Sequence, residues 1–336
     1  MKRLAYILVL GLVLMAQDAD AQTLMAIKDR GILNCGSNGT LAGFGMPDPN
    51  GKWAGLDVDF CRAVAAAIFN DAGKVKFVPL SAKDRLTALQ SGEVDLLARD
   101  TTWTISRDSS LGLKFVGVDY YDGQGFIVPK TLNVNSALEL KGASVCMQQG
   151  TTSELNASDF FHAHNMPFKP VTFATANEAV KAYDAGRCDV YTTDVSSLYS
   201  ERLRLANADD HILLPEIISK EPLGPAVRQG DDQWFDIVKW TLFAMINAEE
   251  LNITSKNVGE IKTSTNPDVK RFVGTEGNYG EQLGLAKEWA VSIVKLVGNY
   301  GEVFERNVGS GSPLKIDRGL NRLWNKGGIQ YAPPIR

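Results

Sequence analysis

Residues 88–100 read ALQSGEVDLLARD, and residues 182–194 read AYDAGRCDVYTTD. Aligned without gaps, they match Ala88 to Ala182, Gly92 to Gly186, Asp95 to Asp189 and Asp100 to Asp194. Each reads as the end of a helix, a glycine stop and a short apolar strand. Two generic βαβ units can coincide this far, so the flanks decide. Upstream of the first copy, Ile32–Cys35 is a strand candidate and Leu56–Asn70 an amphipathic helix with Phe60, Val64, Ala67 and Ile68 on one face. Asp57 is placed to cap that helix and Gly73 to end it. Val75–Leu80 is a strand, Ser81-x-x-Asp84 a capping box opening a helix through Gln90, and Val94–Ala98 a strand.

The series then recurs. Ala143–Met147 is a strand followed by Gly150-Thr151-Thr152, a helix start; Pro170–Phe173 is a strand. Thr175-x-x-Glu178 is a capping box, its helix stops at Gly186, and Asp189–Thr192 is the next strand. Alternating strands and helices give an α/β fold with mainly parallel sheets, here two doubly wound lobes of one topology. Ligands of such sheets bind beyond the carboxyl ends of the strands. Asp100 and Asp194 stand there, one per lobe, so facing lobes would share a cleft suited to hinge closure on a small molecule.

Composition sets limits on what enters that cleft. The 336 residues are 44% hydrophobic and 22% charged, enough for two domains. Thirty-five basic and 39 acidic residues in mixed order give a net charge of −4 without a basic face, which argues against nucleic acid. Lys2 and Arg3 precede an apolar run from Leu4 to Ala16 and a small-residue site, Ala19-Asp20-Ala21. The run is shorter than the ~20 residues a membrane span needs. Residues 1–21 therefore read as a secretory signal peptide, and the mature chain as exported without membrane insertion. Cys35, Cys61, Cys146 and Cys188 contain no CxxC pair, which disfavours zinc. In an oxidising compartment they form two bridges, with three possible pairings. Cys35–Cys61 with Cys146–Cys188 is favoured because each pair stays inside one lobe; buried free thiols are the alternative.

The groups near the strand ends suit a zwitterion. Thr104 is a plausible N-cap that puts Arg107 in a first helical turn, where the helix dipole disfavours a cation. A ligand carboxylate would account for it, held by two parallel hydrogen bonds and helped by the Thr102 hydroxyl. The bland alternative is a solvated pair with Asp108. Gln149-Gly150-Thr151-Thr152 offers backbone N–H groups and hydroxyls to the same carboxylate, or only a plain cap. Asp194 would take an ammonium, or else cap the segment from Val195. One carboxylate beside one ammonium describes an α-amino acid.

These motifs resemble the solute-binding proteins of polar amino-acid ABC transporters, the bacterial extracellular solute-binding protein family 3, and within it the general L-amino-acid type. The resemblance rests on GILNCGSNGTLAGF, GLDVDFCRAVAAAIF, ALQSGEVDLLARDTTWTISR, YYDGQGFIV, QQGTTSELN, AGRCDVYTTD and the C-terminal LNRLWNKGGIQYAPPIR. It implies the type II periplasmic binding protein fold, with residues 22–127 and 221–336 forming lobe one and its helical C-terminal extension, and 128–220 forming lobe two. The chain is expected to leave lobe one near Phe126–Lys130 and return near Ser219–Gly224, as a two-segment hinge. Asp231–Ala248 is expected to be a helix on lobe one, with Trp234, Ile237, Val238, Trp240, Thr241 and Met245 on its apolar stripe. Leu285–Val297 is expected to be another, with Trp289, Ile293 and Leu296 inward.

By position, the resemblance makes Arg107 and Thr102 the carboxylate site of lobe one and Thr152, beside Thr151, that of lobe two. Asp194 binds the ammonium, and Asp100 adds its backbone carbonyl. Phe44 packs on the substrate and Gln148 faces its side chain. Ser81 to Arg85 approach the same end, where Lys83 or Arg85 would favour acidic substrates. The function implied is a periplasmic, monomeric binder of L-amino acids with broad specificity, delivering to a membrane permease, with no cofactor, no metal and no catalysis. The rivals are an enzyme on the same fold, such as a cyclohexadienyl or arogenate dehydratase, and an amino-acid sensor. His162-Ala-His164 lacks further metal ligands, and Ser312-x-x-Lys315 lacks the companion motifs of a serine hydrolase.

Overall fold

A computed structural model describes residues 22–336. The signal-peptide expectation falls on 1–21 and lies outside the described residues. No described helix is long and apolar enough to cross a membrane.

Two five-stranded sheets repeat one strand order. In lobe one it runs Val75–Pro79, Leu33–Ser37, Leu96–Leu97, Ala226–Arg228, Leu113–Phe115. In lobe two it runs Lys169–Phe173, Ser144–Gln148, Val190–Asp194, Gln124–Pro129, His211–Leu213. The first three strands of each are parallel, and the fourth is antiparallel to its neighbours. Each fourth strand comes from a segment that has just crossed between lobes. Between the sheets, Tyr120–Asp122 pairs antiparallel with Glu221–Leu223 as a two-stranded hinge. Matching sheets joined by two crossings make this the type II periplasmic binding protein fold.

Strand and helix positions follow the sequence reading closely, and several ends differ. Gln124–Pro129 lies in the lobe-two sheet, so the chain has left lobe one upstream of the expected boundary at 127/128. The apolar run Phe126-Ile-Val reads alike in either lobe; pairing with Val190–Asp194 is what assigns it. The helix Leu56–Phe69 starts at Gly55 without a side-chain cap and ends at Asn70 in the left-handed region, replacing Asp57 and Gly73. The Asp57 carboxylate is buried and accepts from Asp100 N instead. Ser81 and Asp84 do bond, through Asp84 N to Ser81 Oγ at 3.1 Å, but in a turn ahead of the helix Arg85–Gln90. The Thr175–Glu178 capping box forms as read.

The bridges Cys35–Cys61 and Cys146–Cys188 each lie within one lobe, with Cα atoms 6.3 and 5.6 Å apart. Each anchors the middle parallel strand of its sheet. In lobe one that strand is tied to the helix Leu56–Phe69, and in lobe two to the turn before Val190–Asp194. Loops of 26 and 42 residues correspond to roughly 3.5 and 4 kcal/mol on the chain-entropy argument.

The tail belongs to lobe one. Asp232–Glu250 buries Trp234, Ile237, Val238, Thr241 and Met245, with Trp240 only half-buried. Trp289–Leu296 is shorter than expected and packs on Leu56–Phe69; Trp289 and Ile293 point inward, but Leu296, the last residue of the helix, is exposed. Beyond it the extension reaches the hinge. The Asn321 side chain accepts from Tyr121 N at 2.7 Å and donates to Tyr121 O at 3.1 Å, completing the strand edge that Glu221–Leu223 leaves free. The Tyr300 hydroxyl donates to Asp119 O at 2.8 Å and Gln330 to Val118 O at 3.3 Å. The extension thus braces the first crossing.

Candidate functional site

A pocket opens between the carboxyl ends of the two sheets. Lobe one lines it with Asn38, Thr40, Leu41, Arg85, Arg99, Asp100 and Thr102, and lobe two with Gln148, Thr151, Thr152, Asp194, Ser197 and Glu201 among others.

The lobe-one wall is charged and largely self-paired. Asp100 follows the strand Leu96–Leu97 at φ 36°, a left-handed conformation that turns its side chain back. Its Oδ1 accepts from Asn38 Nδ2 at 3.0 Å and Arg99 Nη1 at 3.1 Å, while its N–H donates to Asp57 Oδ2 at 2.9 Å. Burial, with Asp119 and Asp100 nearby, holds the Asp57 carboxyl well above the usual carboxylate range. Arg85 is buried, and its Nη1 reaches the carbonyls of Arg99 and Asp100 only at 3.4 Å. Its Nε has no partner among the described residues. Burial, then Arg99 and Arg107, push its pKa well down. Thr104 caps the helix Ile105–Ser110 as read, accepting from Arg107 N at 3.4 Å. Arg107 donates to Thr102 O at 2.8 Å and is buried behind that residue, not on the pocket wall. Burial lowers its pKa, against which the Glu221 and Asp194 carboxylates act.

The lobe-two wall is under-satisfied. Asp194 ends the strand Val190–Asp194 and precedes the helix Val195–Arg202, yet its side chain makes no cap bond. Its Oδ1 is buried with no hydrogen-bond partner among the described residues. Burial, with Asp122, Glu221 and Asp100 nearby, raises its pKa well above the carboxylate range. A buried unpaired carboxylate is costly, and a cation brought against it would offset that cost. Thr151 caps the helix Thr152–Ala163, accepting from Glu154 N at 3.4 Å and donating to Gln148 O at 2.8 Å. Its hydroxyl is spent on the turn.

The two walls touch. Thr102 Oγ1 and Thr152 Oγ1 lie 3.3 Å apart, and both donate to Glu221 Oε2, at 2.6 and 3.0 Å. Those hydroxyl protons are committed to a carboxylate, so the oxygens face the pocket as acceptors. This differs from the expectation that they donate to a ligand carboxylate.

Of the residues singled out by sequence, Asp194, Thr102, Thr152, Thr151, Asp100, Gln148 and Arg85 meet around one pocket. Phe44 does not. It is 1% exposed in the lobe-one core, edge-on to Tyr120 at 5.2 Å between ring centres. Its carbonyl accepts from Asp57 N at 3.1 Å, and Gly55 passes so close that a Cβ there would overlap that carbonyl. Leu41 is the lining residue of that segment. Lys83 is exposed and does not line the pocket. The Asp100 carbonyl faces Arg85 at 3.4 Å, so an ammonium would share it with a cation. Sequence reasoning missed Asn38, Arg99, Glu201 and Glu221. Asn38 sits inside the quoted GSNGT turn, a polar side chain straight after a buried strand, which was a usable signal. Glu221 carried none.

The chain matches the bacterial extracellular solute-binding proteins, family 3, over residues 33–259. It belongs to that family. The family 3 match ends near the start of the extension, but longer relatives continue through it. The chain is 64% identical over 323 residues to the general L-amino acid-binding periplasmic protein AapJ of Rhizobium johnstonii, covering 96% of this chain and 95% of the relative. It is 53% identical over 324 residues to the glutamate/glutamine/aspartate/asparagine-binding protein BztA of Rhodobacter capsulatus, covering 96% of each. Among solved structures, a Brucella ovis ABC transporter periplasmic binding protein with glutathione bound has a TM-score of 0.93 at 61% identity, covering 95% of this chain and 100% of that one.

Proposed function

We propose that this protein is the periplasmic substrate-binding component of an amino-acid ABC transporter. It binds L-amino acids with broad specificity between its lobes and delivers them to a membrane permease. The observation that carries the reading is Asp194, a buried carboxylate without a partner on the pocket wall, opposite an arginine-rich face. Its natural complement is the α-ammonium of an amino acid.

The remaining roles follow from charge. Arg107 takes the ligand carboxylate, since its guanidinium keeps donors beyond the one given to the Thr102 carbonyl. Arg85, with its unpartnered Nε, and Gln148 face the ligand side chain. They suit a side chain that ends in a carboxylate or carboxamide, and Leu41 supplies apolar contact for others. Contacts to both lobes give a ligand its differential affinity for the closed form, and that shifts the population towards closure. Binding without turnover fits relatives named as binding proteins along nearly their whole length. The protein acts as a monomer, without nucleic acid, and its closed form docks on the permease.

The test is a thermal-shift screen of the mature protein, unfolded and refolded beforehand to strip carried ligand. A ligand at a thousandfold excess over its Kd adds about 4 kcal/mol. Several L-amino acids, glutamate among them, should raise Tm, and their decarboxylated amines should not. No shift with any amino acid would sink the reading.

A further inference from the structure

Glu221 has no part in the roles above, yet it joins the lobes. It lies in the hinge strand Glu221–Leu223, opposite Asp122, and is 1% exposed. Its carboxylate accepts from four side chains: Thr102 Oγ1 at 2.6 Å from lobe one, Thr152 Oγ1 at 3.0 Å and Asn156 Nδ2 at 2.6 Å from lobe two, and Ser219 Oγ at 2.7 Å from the hinge. Among the described residues no lysine or arginine lies within ion-pair distance of it, so donated hydrogen bonds do the holding. A hinge rotation that separates Thr102 from Thr152 must break at least one of these arms. Both hydroxyls donate to Glu221 Oε2, so both oxygens keep their lone pairs for the pocket.

We propose that Glu221 is a positioning residue: an interlobe latch that stabilises the closed cleft and fixes the Thr102 and Thr152 oxygens as acceptors for the donor group of the ligand. The second half rests on the amino-acid-binding reading; the first half does not. A hydrogen bond to a charged group is stronger than a neutral one, and the amide introduced by Glu221→Gln would have to turn its NH₂ towards hydroxyls or an amide that also want to donate.

The experiment combines interlobe distances, from one spin label on each lobe of the full mature chain, with calorimetry. In ligand-free protein, Glu221→Gln should move the distance distribution to longer values, and Asn156→Ala, which removes only one lobe-two arm, should move it part of the way. L-glutamate affinity should fall at least tenfold in Glu221→Gln and roughly threefold in Asn156→Ala. The preference for L-glutamate over glutarate, the same diacid without the ammonium, should shrink in Glu221→Gln, which lost packing alone would not cause. If Glu221→Gln does not fold, Asn156→Ala carries the test. Unchanged distances overturn the latch, and tighter binding by Glu221→Gln would make the residue a competitor of the ligand instead. Failure of the wild-type protein to bind any amino acid would strike the binding reading, while the distances would still judge the latch.

Discussion

Asp95 and Asp189 hold the same post in the two lobes, whereas Asp100 and Asp194, equally matched in sequence, have opposite fates. Asp95 Oδ2 accepts from Asn34 N at 2.8 Å, and Asp189 Oδ2 accepts from Ser144 N at 2.8 Å. Each pins the start of its lobe's first strand. Five residues on, Asp100 Oδ1 is paired with Asn38 and Arg99 of its own lobe, while Asp194 Oδ1 is buried without a partner among the described residues. A repeat preserves what the fold needs and diverges at the strand ends, where a ligand is met. On the pocket wall, then, pairing within the lobe marks Asp100 as a structural carboxylate, and a buried oxygen without a partner marks Asp194 as the one open to a ligand.

The strongest test of that contrast is Asp194→Asn. The amide removes the counter-charge of an ammonium, and losing one partner of a buried charge pair costs roughly 3 kcal/mol. Amino-acid affinity should fall about a hundredfold by calorimetry, yet ligand-free Tm should rise, because an unpaired buried carboxylate has gone. A drop in both would place Asp194 among the structural carboxylates. Binding should also be pH-linked. The fold raises the Asp194 carboxyl, an ammonium favours its ionised form, and so affinity falls as the medium is acidified.

Asp100→Asn should do the reverse. Arg99 and Asn38 lose an ionised acceptor, so stability should fall by about 2 kcal/mol in urea titrations, with a smaller change in affinity. Equal losses of affinity in Asp100→Asn and Asp194→Asn would erase the contrast.

Asp119 asks whether a buried oxygen without a partner always means a ligand. Its Oδ2 is also buried without a partner among the described residues, but it does not line the pocket. Burial pushes its carboxyl from 3.8 to about 8. Between those values the unfolded chain has released the proton that the fold retains, so stability declines as pH rises. Asp119→Asn should therefore gain Tm over wild type progressively from pH 5 to pH 8, with amino-acid affinity unchanged. A pH-independent Tm difference would refute the raised pKa.

How much of this the sequence displayed depends on distance along the chain. Periodicity and caps located the three parallel strands of each lobe and the helices between them, because those signals are local, but not the other strands of the two sheets, Ala226–Arg228, Leu113–Phe115, Gln124–Pro129 and His211–Leu213. The lobe boundary slipped because Phe126-Ile-Val is apolar enough for either sheet. The sequence placed Asp100 and Asp194 at strand ends but not their neighbours. Asn38 is 62 residues from Asp100, and Glu221 is 119 from Thr102. The Phe44 ring was misjudged because an aromatic ring suits the lobe core, where it meets Tyr120, as well as it suits a ligand, and nothing local in the sequence separates the two. Arg99 directly follows the strand read at Val94–Ala98, and its partners could not be read locally: its Nε bonds Leu80 O at 3.1 Å, 19 residues away, and its Nη1 bonds Asp100.

The smallest effects belong to the pair that agrees. Asp95→Asn and Asp189→Asn should each cost on the order of 1 kcal/mol, since each amide still accepts one bond at the strand start. The two should part company with pH. Burial raises Asp95, despite Asn34 and the ion pair with Arg30. The hydroxyl and N–H of Ser144 lower Asp189, which is exposed. A lowered carboxyl contributes stability above its unfolded value of 3.8 that is lost as pH falls below it, and a raised one does the opposite. Asp189→Asn should thus flatten the acid limb of the stability curve, and Asp95→Asn should steepen it. Acid titrations of Tm for both variants give the answer. Limbs that shift in the same direction would refute the opposite perturbation of the two carboxyls and mean that both lobes hold these strands by the same physics.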